Sequence, residues 1–125
     1  MQATNYKAIA TDFLTNASAG KAREVFKKYA AENFRHHNIH FKGEAITLME
    51  AMEAAAKTAP HQTIDIKRIV QDGDTVAAHS LVVPQPGGPG IAVVHIFRFE
   101  NGKIAELWDI VQPIPADIVN ENGAF

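Results

Sequence analysis

The sequence contains no cysteine. Disulfide bonds and thiolate chemistry are therefore excluded, and whatever holds the fold together is packing and hydrogen bonding. No apolar run approaches the roughly 18 to 20 residues that a membrane-spanning helix needs. There is also no excess of charge of one sign: 12 lysines and arginines stand against 14 acidic residues, a net charge of −2. The basic residues are scattered, so the basic stripe on which nucleic-acid binding depends is missing. The N-terminal stretch MQATNYKAIATDF lacks both a basic start and an apolar h-region, so no signal peptide is expected. A cytoplasmic protein with neither nucleic-acid nor membrane partners is the expectation.

What is present fits one globular domain spanning residues 1–125, with 46% hydrophobic and 21% charged residues and no internal repeat. Six histidines stand out: His36, His37, His40, His61, His79 and His95.

The first half has helical periodicity. Tyr6, Ile9, Ala10, Phe13 and Leu14 recur on one helical face. Gly20 interrupts, and Ala22, Val25, Phe26 and Tyr29 form a second amphipathic segment. Phe34 to Asn38 suits a brief strand. A third helix is expected from about Glu44 to Ala59, with Ile46, Met49, Met52 and Ala56 as its buried stripe and Pro60 as its stop.

After Pro60 the pattern alternates. Thr63 to Gln71 carries Ile64 and Ile66 in phase and Ile69 out of phase, which predicts a bulge near Lys67 and Arg68. Asp72-Gly73-Asp74 turns into a strand from Thr75 to Val83. Pro84 to Gly90 is a loop. Ile91 to Phe99 and Lys103 to Gln112 are strands joined at Asn101-Gly102, and a tail runs from Pro113 to Phe125. Helices first and antiparallel strands after is the α+β pattern. The expected architecture is three N-terminal helices packed on a curved, mainly antiparallel sheet, a cone-shaped α+β barrel enclosing a pocket.

The last hairpin allows two registers. A two-residue Asn-Gly turn pairs Glu100 with Lys103, sets His95 opposite Trp108 and sends Asp109 to the other face. A three-residue turn with a bulge at Gly102 pairs Phe99 with Lys103 and puts Asp109 diagonal to His95 on one face. The bulged register is the one adopted, because it gathers Ile91, Val93, Phe97, Phe99, Ala105, Leu107 and Val111 into one apolar surface around His95 and Asp109. A carboxylate on such a wall suits a general base acting beside a carbonyl, with the imidazole as acid or orienter. The plainer alternative is a salt-bridged Asp109 and a satisfied core histidine.

Other polar candidates are less constrained. One of His36 and His37 should face inward. Asn38 could orient a ligand carbonyl or make a turn. His79 could join the pocket or bond to backbone within the core. Phe13 and Phe97 are candidates for the pocket wall. No metal-ligand spacing such as His-x-x-x-His on a helix is present, and the adjacent His36 and His37 cannot easily share one ion, so no metal site is assigned.

The order of elements resembles the nuclear-transport-factor-2-like fold. Within it, the run from Ile96 to Asp109, the segment Gly73-Asp74-Thr75-Val76 and the pair His37-Asn38 resemble the SnoaL-like polyketide cyclases. The ending Asn122-Gly123-Ala124-Phe125 is similar to that of a SnoaL-like branch described as aldol-condensation enzymes. In the characterised cyclases a histidine and an aspartate fourteen residues later act on an aldol ring closure, and His95 and Asp109 have that spacing. The resemblance thus implies Asp109 as acid/base, His95 as its partner, and His37, Asn38, His79, Phe13 and Phe97 around a small apolar carbonyl compound. It implies no metal and no cofactor, and a homodimer through the outer sheet face that carries Ile96 and Trp108. It does not extend to the ketosteroid isomerases, whose first-helix tyrosine and later aspartate are matched here by Phe13 and the His36-His37-Asn38 run.

Overall fold

The computed structural model describes residues 5–125. The first four residues, which fall in the expected domain 1–125 and in the N-terminal stretch read above, lie outside the described residues. Three helices, α1 (Tyr6–Ser18), α2 (Ala22–Tyr29) and α3 (Ala45–Thr58), accompany five strands. The strands are β1 (Ala30–His36), β2 (Thr63–Asp72), β3 (Thr75–Val83), β4 (Ile91–Glu100) and β5 (Lys103–Pro113). The sheet order is β1-β5-β4-β3-β2, so β1 and β2 are edges and the sheet does not close into a barrel. Three junctions are antiparallel, and β1 runs parallel to β5.

The helices form where the periodicity says they should. In α1, Ala10, Phe13, Leu14 and Ala17 are buried at the spacing of one face, and the Asn5 side chain caps the helix by accepting from the N–H of Ala8 at 3.2 Å. Gly20 ends the first helical run at φ +92°, a backbone state that other residues reach only with strain. The third helix is rotated from the expected stripe: Leu48 and Met49 are buried and Met52 is partly buried, whereas Ile46 is 45% exposed. Ala45, Leu48, Met49 and Met52 keep helical spacing, and Ile46 falls off that face.

The core is aromatic at its centre. Phe13, Phe97, Phe99, Ile104 and Leu107 are almost fully closed off from solvent. Phe13 meets Phe97 edge-on at 5.8 Å, and Phe26 bridges Phe13 and Phe34 at 5.2 and 5.3 Å. Truncating one such ring to alanine typically costs about 3–5 kcal/mol. This cluster ties α1 and α2 to the inner face of the sheet. The bulge in β2 lies at Lys67, between the pairs Ile66–Ser80 and Arg68–His79, and it returns Ile69 to the core side.

The β4–β5 hairpin resolves the question of register in a third way. Glu100 pairs with Lys103, so the turn has two residues, Asn101 at φ 50° and Gly102 at φ 80°. Both positive values are what a type I′ turn demands, and Asn-Gly supplies them. Two pairs later the ladder slips: Phe99 faces Ile104, Arg98 faces Glu106, and Ala105 is the extra residue. The bulge expected at Gly102 therefore sits at Ala105. This arrangement keeps Lys103 wet beside Glu100 and buries Ile104 beside Phe99. It also brings Leu107 opposite Phe97 and Asp109 directly opposite His95. Among the described residues, no helix is long and apolar enough to cross a membrane.

Candidate functional site

One row of the sheet runs Ile69, Ala78, His95, Asp109 across β2, β3, β4 and β5. Residues directly opposed across strands project on the same side, so the imidazole and the carboxylate share the inner face. Diagonal placement was expected; the bulge at Ala105 makes it direct.

His95 is 8% exposed, and its Nδ1 has no hydrogen-bond partner within the protein. Burial pushes its pKa down from 6.5 to about 4, and the Asp109 charge opposes this only in part. The ring is therefore neutral near pH 7. It forms part of the wall of an open cavity of about 150 Å³ on the inner face, lined also by Leu14, Ala17, Met52, Gln62, Ile64 and Val82.

Asp109 is half-buried, and among the described residues the one hydrogen bond to its side chain is donated by Asn38 Nδ2 to Oδ2 at 2.8 Å. It makes no ion pair with lysine or arginine among the described residues. Asp109 opens onto a second space, a groove of about 360 Å³ bordered by His37, Asn38, Ile39, His40 and Trp108. The pair thus stands between two spaces, His95 walling the inner one and Asp109 bordering the outer.

The loop after β1 positions Asn38. His36 is buried, and its Nε2–H donates to the Lys42 carbonyl at 2.6 Å. Its Nδ1 accepts from the Asn38 N–H at 3.1 Å, which fixes the tautomer. Asn38 Oδ1 accepts from the His40 N–H at 3.0 Å, leaving the amide nitrogen to face Asp109. Asn38 makes the turn and touches the carboxylate at once.

His36, then, is the inward histidine. His37 lies on the outer face, stacked on Trp108 at 4.9 Å and 2.5 Å from Glu106 through Nε2, and its ring reaches only the groove. His79 also lies on the outer face, because Ala78 and Ser80, its neighbours along β3, point inward. It meets Arg68 and the ring of Phe125, at 4.8 Å, and is away from the cavity. Phe13 and Phe97 belong to the buried aromatic cluster.

Two features escaped the sequence. Ser80, wholly buried, lies on the inner face diagonal to His95, and its Oγ has no partner within the protein. Alternation with Ala78 and Val82 was the available signal. The second feature is Glu106, 6% exposed on the outer face, which accepts from Arg35, Arg98 and His37. Hydrogen bonds from Arg35 first and His37 next hold its carboxyl down at about 2. Among the described residues, no three histidine, aspartate or glutamate side chains converge in a way that could hold a metal ion.

Three helices over an open five-strand mixed sheet are the nuclear-transport-factor-2-like fold. Solved structures share the fold. AclR, a proposed hydroxylase from Streptomyces galilaeus, superposes with a TM-score of 0.73 at 20% identity over 85% of this chain and 77% of its own. IdmH, a proposed polyketide cyclase from Streptomyces antibioticus, gives 0.71 at 18% identity over 87% and 93%. A SnoaL-like polyketide cyclase from Agrobacterium tumefaciens gives 0.70 at 15% identity over 90% and 93%. The comparison with curated proteins found no match. Residues 10–107 match the SnoaL-like domain, and the chain belongs to that family. The matched stretch includes His95 and ends two residues before Asp109.

Proposed function

We propose that this protein is a cyclase-like enzyme performing cofactor-free acid/base chemistry of the aldol-condensation type on a small apolar carbonyl compound. The observation that carries this reading is the state of the His95–Asp109 pair. A purely structural carboxylate would be ion-paired and a purely structural core histidine would be satisfied; among the described residues, Asp109 accepts a hydrogen bond from Asn38 alone and His95 Nδ1 has no partner.

In this reading Asp109 takes a proton from a carbon beside the carbonyl, and the electron pair moves onto the carbonyl oxygen as an enolate. Neutral His95 offers a hydrogen bond to that oxygen, a role for which a low pKa is an advantage because the ring does not trap a proton. The enolate carbon then attacks a second carbonyl carbon of the same molecule. The resulting alkoxide recovers the proton from the Asp109 carboxyl, so the protein ends as it began. Asn38 fixes the carboxylate for both transfers.

Deuterium exchange into model diketones in heavy water tests this. Wild-type protein accelerates the exchange, and Asp109→Asn does not. A second reading, a carrier that sequesters a small apolar molecule, draws on the mainly apolar wall of the inner cavity. Binding of the diketone with no exchange above buffer decides for the carrier.

A further inference from the structure

The β1–β5 ladder ends at the His36–Leu107 pair, while β5 runs on to Pro113. Beyond that pair the loop that starts at His37 faces β5 across the groove onto which Asp109 opens. Among the described residues the ties between this loop and β5 are few. The His37 N–H donates to the Leu107 carbonyl at 2.9 Å, and His37 Nε2 lies 2.5 Å from Glu106 Oε2. The His37 ring lies flat on Trp108, 6° from parallel, and Asn38 Nδ2 donates to Asp109 Oδ2 at 2.8 Å. All but the last belong to His37. Glu106 and Trp108 are on the outer face of β5 and Asp109 is on the inner, so the grip on His37 and the contact of Asn38 fall on opposite sides of the sheet.

The other bonds of this loop are internal. His36 bonds the Lys42 carbonyl and the Asn38 N–H, and Asn38 accepts from the N–H groups of His40 and Phe41. They set the shape of the loop but not its distance from β5. The His37 side chain is 44% exposed, and holding such a side chain in one rotamer costs entropy. Glu106 helps to offset that cost. Its carboxyl is held down at about 2, by Arg35 first and His37 next, so it is ionised at neutral pH and its bond with the imidazole is charge-assisted. The stack on the indole fixes the plane of the ring as well. A loop residue that only had to leave the strand would need neither contact.

We propose that His37 is a positioning residue: clamped by Glu106 and Trp108 on the outer face, it sets the loop at the distance from β5 at which Asn38 holds the Asp109 carboxylate. It acts through Asn38 and touches no substrate. This deepens the acid/base reading by extending its machinery to the far side of the sheet, and it rests on that reading for its role in turnover.

A double-mutant cycle tests it, with diketone exchange measured well below the melting temperature of every variant. His37→Ala should lower kcat about fivefold and leave KM within about twofold. In an Asn38→Ala background the same change should alter kcat by less than about twofold, because the residue it acts through is gone. His37→Gln, whose amide can still donate to Glu106, should recover most of the lost rate. The side-chain amide protons of Asn38 give a readout independent of turnover: His37→Ala should move them towards their position in Asp109→Ala, and His37→Gln should leave them near wild type. Equal losses of kcat in the two backgrounds, a KM that rises with kcat unchanged, or Asn38 amide resonances unmoved by His37→Ala would each overturn the proposal. Absence of exchange in wild type would remove the acid/base chemistry instead, and the Asn38 resonances would then decide the clamp alone.

Discussion

His95 faces Asp109 directly across the β4–β5 ladder, and among the described residues no lysine or arginine pairs with either side chain. The arrangement separates a reactive role from a structural one. Asp109 is half-buried at the border of the groove, and Asn38, which donates to it, donates equally well to an amide oxygen. Asp109→Asn should therefore hold the melting temperature within a few degrees and reduce diketone exchange by a factor on the order of 10² to 10⁴, the usual worth of a positioned general base. Calorimetry beside the exchange assay checks both halves; a variant that is inactive because it melts early would return Asp109 to a structural role.

The histidine makes a second, independent prediction. Its folded pKa of about 4 lies below the ordinary 6.5, chiefly because burial penalises the charged ring. Between those values the unfolded chain binds more protons than the folded one, so stability rises with pH across that window and is lost as pH falls through it. The full effect is about 3 kcal/mol as an order of magnitude. Urea denaturation from pH 7 down to pH 4 should show the decline, and His95→Gln should flatten it. A wild-type profile as flat as that of the variant would count against a neutral, buried imidazole.

Asn38 should act through the carboxylate. Removing its amide in Asn38→Ala deprives Asp109 of the hydrogen bond from Asn38 Nδ2 and loosens the turn that His36 and His40 hold. The expected result is a fall in kcat of about tenfold, one hydrogen bond's worth, with a smaller change in KM. A variant whose KM rises while kcat is unchanged would place Asn38 in ligand binding instead.

The sequence carried the elements well because their signals are local. Helical spacing in Tyr6 to Leu14, the bulge implied by Ile66 and Ile69, and the turn at Asn101-Gly102 each depend on neighbours within a few residues. The site was less legible because it depends on pairing. That His95 and Asp109 share a face followed from gathering the apolar residues, but the position of the bulge did not. Ala105 and Gly102 both permit that face, and the choice turns on burying Ile104 beside Phe99. His79 was tied to Ala77 and Leu81 without knowing which side of β3 meets the helices. Ser80 looked ordinary until its neighbours across two strands were known, and the Arg35–Glu106 contact, across a parallel pair, spans most of the chain.

The bulge supports a last prediction, on the hairpin itself. Ala105 is the unpaired residue between Ile104, which faces Phe99, and Glu106, which faces Arg98. Deleting Ala105 removes the bulge and leaves every later pair in place, so Asp109 should still face His95. Ala105 is itself buried, at 1% exposure, and the local twist it imposes is lost with it. A loss of roughly 1–3 kcal/mol is expected, within the ordinary range for one core change. Cross-strand nuclear Overhauser contacts between residues 95 and 109 and residual exchange activity together check the outcome. A deletion variant that folds with Trp108 opposite His95 would have given up both the two-residue turn and the Phe99–Ile104 pair, and would show that neither sets the register.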